Sequence, residues 1–327
     1  MIRKENYLNV LKESELEKLA FDAGNLVMNA INDDDITEIM LNPSGVLWVE
    51  HRIQGMYEIG IMSKGMATGF IYNTAGLNNK SINKSLPFIE TELPFDRARF
   101  EATIPPITES PSFTIRKRAK QIYTMSDYLK SEIINQNQAR AIENAIIGKK
   151  SILICGAPGT GKTTFANACI DTLTAKCSKT ERILTLEDVP ELQCNAGNLL
   201  SMYTNKQSNI DLNTLLQITL RSRPDRILVG EVRDKAMLEL LKSWNVGCSG
   251  IATVHSNTAT ATSALQRCID LAMEATQTPP ISLICETVNM IVTIERSKKN
   301  SSGRVINNVA LVKGVDDNNK FKFEYIN

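Results

Sequence analysis

Gly156-Ala157-Pro158-Gly159-Thr160-Gly161-Lys162-Thr163 sets two glycines with four residues between them, then a lysine and a threonine. In such a loop the glycines let backbone N–H groups turn inward around phosphate oxygens, and a helix that starts there adds positive potential. Lys162 would reach the β- and γ-phosphates, and the Thr163 hydroxyl would ligate Mg²⁺. The binding set is therefore Gly156, Ala157, Pro158, Gly159, Thr160, Gly161, Lys162, Thr163 and Thr164, and its chemistry is that of a nucleoside triphosphate. A glycine-rich stretch can be only a turn, but the flanks argue otherwise. Ser151–Cys155 is an apolar run too short for a helix and reads as a buried strand, while Thr164–Lys176 has helical composition and ends on a cation.

Three more groups stand where apolar runs end: Glu187 after Arg182–Leu186, Glu231 after Ile227–Gly230, and His255 after Gly250–Val254. In an open α/β sheet that edge faces the bound phosphates. A glutamate there can polarise an attacking water or hold a water on Mg²⁺. Glu187 is expected to activate the water, with Glu231, His255 and Lys162 completing the catalytic group. Singly, each carboxylate reads as a helix cap or surface charge, and the histidine as a hydrogen-bonding group. Three successive strands ending this way favour the joint reading. The segment before Glu231 has Gly-Glu where many phosphate-loop proteins have Asp-Glu or Asp.

The elements that must hold these groups follow from periodicity. Strands at 151–155, 182–186, 226–230, 250–255 and 290–295 alternate with helices, which predicts a mostly parallel sheet covered on both faces. One helix carries Leu212, Leu215, Leu216 and Leu220 behind an Asp211 cap, and the next carries Met237, Leu240, Leu241 and Trp244 behind Asp234. A third spans 258–275, and residues 304–327 alternate like a β-hairpin turning at Asp316-Asp317-Asn318. Ahead of the loop, Leu8, Leu11, Leu16, Leu19, Leu26 and Val27 mark a helix with Gly24 as a break. A hairpin (36–41 with 46–50), a polar helix (63–86) and three short strand segments (87–92, 97–104, 112–118) follow. Arg97, Arg99, Arg116, Lys117, Arg118 and Lys120 give the end of this half a positive cast. That cast is either a solvated face or a reach toward the nucleotide. The expected division is 1–118, a linker at 119–134, and 135–327.

With 327 residues, the chain exceeds the size at which single cores stop growing. Its 43% hydrophobic and 22% charged residues are those of a folded globular protein. A net charge of +1 gives no overall case for nucleic acid or an acidic membrane. Seven cysteines without a Cys-x-x-Cys pair point to reduced thiols rather than a zinc ribbon or redox motif. Met1–Val10 lacks the apolar core of a signal peptide, and no apolar run is long enough to span a bilayer.

Taken in order, the boxes resemble the secretion ATPases of conjugation and type IV secretion systems, most closely the TrbB-like branch. The resemblance lies in the phosphate loop, in Leu186-Glu187-Asp188-Val189-Pro190-Glu191-Leu192, in the run from Leu220 to Arg233, and in Gly250–His255. It continues into Thr37–Pro43 and Pro111–Arg118, and covers roughly residues 35 to 300. It implies an α/β chain: a RecA-like P-loop motor domain at the C-terminal side, preceded by a smaller PAS-like α+β domain. It further implies ATP and Mg²⁺ as cofactors, nucleotide held between the domains, and Arg99 and Arg116 near the γ-phosphate. A homohexameric ring is implied, cytoplasmic and peripheral to the inner membrane, working with inner-membrane components of the secretion machine. Sequence-specific nucleic-acid binding is not expected. The competing readings are a pilus or type II secretion ATPase, many of which carry the Cys-x-x-Cys pairs missing here, and a RecA-like nucleic-acid motor. The latter lacks support from an aromatic-basic stacking stripe. A nucleotide-gated switch with little turnover is the third.

Overall fold

Apolar and polar residues alternate along much of the first third, so its strands bury one face; the central strands after residue 151 are largely apolar and bury both. The structure, a computed structural model, describes residues 2–95, 98–118, 122–205, 208–298, 300 and 302–327, with side chains from Ser14 onward. Leu8, Leu11, Arg97 and Lys120 of the reading above lie outside the described side chains. Contacts divide the chain into two units, Met1–Lys120 and Gln121–Asn327.

The first unit contains α1 (Ile2–Asn32), β1 (Ile36–Leu41), β2 (Val46–His51), β3 (Gly55–Ile61), α2 (Lys64–Leu77), β4 (Phe88–Glu92), β5 (Arg99–Thr103) and β6 (Ser112–Arg116). Gly24 breaks α1 as expected, with φ of 73° inside the helix. The six strands are antiparallel in the order β3-β2-β1-β6-β5-β4. Alternate residues, among them Ile39, Val49, Phe100, Phe113 and Ile115, join α1 and α2 in one core. Phe70 of α2 meets Phe100 and Phe113 edge-on, at centroid distances of 5.4 and 5.3 Å.

The second unit runs α3 (Met125–Lys130), α4 (Gln136–Ile147), β7 (Ile152–Gly156), α5 (Lys162–Lys176), β8 (Ile183–Glu187), β9 (Leu199–Tyr203), α6 (Leu212–Thr219) and β10 (Arg226–Val232). It continues with α7 (Ala236–Asn245), β11 (Ser249–His255), α8 (Ala261–Ala272), α9 (Ile281–Thr287), β12 (Met290–Arg296), β13 (Arg304–Val315) and β14 (Phe321–Tyr325). Its sheet has the order β14-β13-β12-β7-β11-β10-β8-β9. From β12 to β9 every pair is parallel, and β13 and β14 close one side antiparallel. The period of two along β7 separates two cores. Leu153 and Cys155 pack with α6, α7, α8 and α9, whereas Ile152 and Ile154 pack with α3, α4 and α5.

The expected linker at 119–134 is not a free connection over most of its length. Thr124 caps α3 through a reciprocal pair with Asp127, and Tyr128 and Ile134 are buried in the core of the second unit. The cap of α7 also differs. Lys235 occupies that position without a side-chain cap bond, and Asp234 instead accepts from the Ala236 N–H at 2.9 Å. The third helix is shorter than expected, starting behind Thr260.

Candidate active site

The phosphate loop closes in a shape that requires glycine. A Cβ on Gly156 would lie 2.3 Å from the Ile294 carbonyl oxygen, and φ is +69° at Gly159 and +96° at Gly161. The Thr160 hydroxyl and the Lys162 ammonium both donate to the Ala157 carbonyl, at 2.9 and 3.1 Å. Gly161, the N-cap of α5, offers no side-chain acceptor. The first-turn N–H groups of α5 are thus left for an anion, with Thr163 and Thr164 in that same turn.

Lys162 also donates to His255 Nδ1 at 2.9 Å. An ammonium has no lone pair, so Nδ1 is the acceptor and the ring proton sits on Nε2. Nε2 lies 2.5 Å from Glu231 Oε1, and Glu231 Oε2 accepts from Arg233 Nε and Nη2 at 2.9 and 2.6 Å. Sheet register makes this chain of contacts possible. His255 is paired with Gly156 across β11 and β7, and β10 carries an irregularity against β11 between Val229 and Val232. The Thr253 hydroxyl donates to the Gly230 carbonyl there, at 2.5 Å. The extra residue bends the strand end and brings Glu231 to His255. Burial and the Lys162 charge hold the His255 pKa below its usual 6.5, against the opposing pull of Glu231. The ring is neutral at neutral pH.

Glu187 ends β8, one strand beyond β10. Only 3% exposed, it accepts the Glu191 and Leu192 N–H groups at Oε1, both at 2.7 Å. Asn167 of α5 holds the same loop, donating to the Glu191 carbonyl at 3.0 Å and accepting from the Gln193 N–H at 2.8 Å. Two donors on one oxygen fix the plane of the carboxylate, and so the direction of Oε2. The glycine before Glu231 now has a reason. A Cβ on Gly230 would stand 3.2 Å from Glu187 Cγ and 3.3 Å from its Oε1, so a larger residue would crowd the buried carboxylate.

The model of the type II/IV secretion system protein family matches residues 23–317. The chain belongs to this family. It is 41% identical to the conjugal transfer protein TrbB of Rhizobium radiobacter over 304 residues, which cover 93% of this chain and 92% of that protein. It is 30% identical to the type IV secretion system protein VirB11 of Bartonella henselae over 273 residues, 71% of this chain and 75% of that one. The ATPase DotB of Legionella pneumophila shares the fold, with a TM-score of 0.60 at 18% identity over 90% of this chain and 80% of that one. The second unit is accordingly a RecA-like P-loop domain, the first a smaller N-terminal domain, and the protein is a P-loop ATPase of the secretion family.

Within this ATPase the structure brings Lys162, His255 and Glu231 together directly, and binds Glu187 to its own loop. Arg99 and Arg116 of the first unit face each other across β5 and β6, and Arg116 Nε lies 3.6 Å from Glu38. Lys117 has a structural task, donating to the Ala30 carbonyl at the end of α1 at 3.1 Å. Arg233 and Asn167 are the site residues that sequence reasoning does not single out. Arg233 closes the motif run from Leu220, two residues past the Glu231 carboxylate that it holds. Among the described residues no helix is long and apolar enough to cross a membrane.

Proposed function

We propose that this chain is the ATP-hydrolysing motor of a conjugation-type secretion apparatus, acting as a hexameric ring at the cytoplasmic face of the inner membrane. The chain of contacts from Lys162 through His255 to Glu231 carries the catalytic part of this reading. It links the phosphate loop to a strand-end carboxylate through a histidine that can report the state of either. Similarity to TrbB over nearly the whole length supports the transport part.

In this reading the loop and the α5 N-terminus hold the phosphates and Lys162 neutralises the β- and γ-oxygens. The Thr163 hydroxyl would hold Mg²⁺. The residues fit: Thr163 stands in the first turn of α5, at the end of the phosphate loop and next to Lys162. One hydroxyl, phosphate oxygens and water is the coordination Mg²⁺ takes in such sites. Bound there, the ion supplies charge neutralisation on the phosphates. Glu187, its carboxylate plane set by two backbone donors, positions and deprotonates the attacking water. Glu231 ties His255 and Arg233 to the reacting end. Arg99 and Arg116 contact the terminal phosphate, and the first unit is PAS-like.

Phosphate release by the purified protein, with and without single-stranded DNA, tests the reading. DNA-independent turnover is expected. Turnover that depends on DNA would favour a nucleic-acid motor, and none at all a nucleotide-gated switch. Sedimentation as a monomer at every concentration, with and without ATP, would refute the ring.

A further inference from the structure

Strand β12 lies on the side of β7 opposite β11, and the hairpin it forms with β13 ends in two arginines. Arg296 and Arg304 are direct partners across that antiparallel ladder. Arg296 Nη2 is 3.0 Å from where a Cβ on Gly159 would sit, and Arg304 Cδ is 3.5 Å from that of Gly161, with its Nε and Cζ at 3.6 Å. The two side chains therefore rest on the two positive-φ glycines of the phosphate loop. Like charges directly opposite on a ladder repel, and Lys162 with the α5 N-terminus adds positive potential at the same place. A structural arginine pair is ordinarily relieved by a carboxylate. Among the described residues neither guanidinium has one within ion-pair distance, and both residues are exposed. A polyanion on the loop would relieve the repulsion that the fold leaves standing.

We propose that Arg296 and Arg304 bind the α- and β-phosphates of the nucleotide, the portion that ATP and ADP share. The flank matters here. Lys162, His255 and Glu231 occupy the β11 side, where the γ-phosphate reacts, so the β12 side addresses the remainder of the phosphate chain. The planar fork of arginine suits two neighbouring phosphates better than a point charge does. Glycine at 159 then has a second role, since a Cβ there would crowd the Arg296 guanidinium at 3.0 Å, whereas one at 161 would only touch Arg304. The proposal rests on the phosphate loop being the nucleotide site.

Binding of fluorescent ADP and ATP to the full chain, measured for Arg296→Ala, Arg304→Ala and the double variant, is the test. Each single change is expected to weaken both nucleotides about tenfold, and the double change about a hundredfold, with the ATP-to-ADP affinity ratio unchanged. Melting without nucleotide should stay the same or rise as the repulsion is removed, while the rise on adding ADP shrinks. A purely structural pair would do the reverse and lower the nucleotide-free melting temperature. Arg304→Lys should recover only part of the affinity. Lys162→Ala in the same assay separates the two layers of argument. If it binds like wild type together with the arginine variants, the loop itself is misassigned. If it loses affinity while the arginine variants stay within about twofold of wild type, or if they lose ATP but not ADP, the arginine assignment is overturned.

Discussion

Glu187→Gln and Glu187→Ala make different demands on the same carboxylate, and the structure assigns them different outcomes. Oε1 accepts two backbone N–H groups at 2.7 Å. A glutamine oxygen can still accept both. What glutamine loses is the charge-assisted part of each bond, about 1 kcal/mol apiece, or about 2 kcal/mol together. At about 2–4 °C per kcal/mol for a unit of roughly 200 residues, the melting temperature falls by no more than about 8 °C. Nucleotide affinity is kept, because the loop that the carboxylate clamps stays in place. Turnover, which needs the base, drops about 10²- to 10⁴-fold.

Alanine removes acceptor and base together. Two N–H groups are then left in a site that is 3% exposed at Glu187, at about 1–3 kcal/mol each, or about 2–6 kcal/mol in all. Thermal melting should show the larger loss, and hydrogen exchange should rise at residues 188–193, where Asn167 becomes the remaining clamp. The assays are calorimetry, fluorescent-nucleotide binding and phosphate release on each variant. A Glu187→Gln protein that keeps a third or more of the wild-type rate would refute the base assignment and move it to Glu231. Equal melting of the two variants would refute the clamp.

Lys162→Ala should abolish hydrolysis with an unchanged circular dichroism spectrum, and near-normal phosphate release would sink the loop as the active site. His255 carries a pH signature: its folded pKa lies below 6.5, so below that pH the unfolded chain takes up the proton more readily. Its contribution to stability is whole above about pH 6.5 and is lost as the pH falls from there toward the folded pKa. His255→Gln should therefore melt with a shallower pH dependence than wild type between about pH 7.5 and 5.5, and parallel curves would exclude the effect. Arg226, 1% exposed, donates to Glu181 at 2.8 Å and to the Ile146 carbonyl at 2.8 Å. Arg226→Ala should cost about 3–5 kcal/mol, read by denaturant unfolding, because it empties a buried position and leaves the Glu181 carboxylate to the half-exposed Lys149 at 3.3 Å.

The residues proposed to hold phosphate are legible in the chain because their geometry is local: the backbone torsions of one loop demand glycine at fixed spacings, and the flanking strand and helix are contiguous with it. Most residues that tune those groups are not local, although Arg233 sits only two residues from the Glu231 it holds. Gly230 makes sense only once β10 lies beside β8, and Asn167 matters because α5 carries it to the loop after Glu187. Arg99 and Arg116 emerge from resemblance, and their pairing across β5 and β6 is invisible in a sequence that puts 16 residues between them. The α9 helix, Ile281–Thr287, is too short for periodicity to mark it.

Two strands leave no signal in the sequence, β3 and β9, and both are sheet edges. A central parallel strand such as β7 buries every residue and announces itself as an apolar run, whereas none of the residues of β3 or β9 is fully buried. Edge position is not by itself the obstacle. β14 is also an edge, yet Phe321, Phe323 and Tyr325 alternate with Lys322 and Glu324, and that alternation gives the strand away. In β3, Gly55-Met56-Tyr57-Glu58-Ile59-Gly60-Ile61 has the apolar content but breaks its own period: Tyr57 and Ile59 pack against the core, while Met56 and, past an irregularity in the pairing with β2, Ile61 are exposed. What conceals an edge strand is the loss of contrast between its two faces, and the strand forms because β2 supplies a neighbour for its backbone.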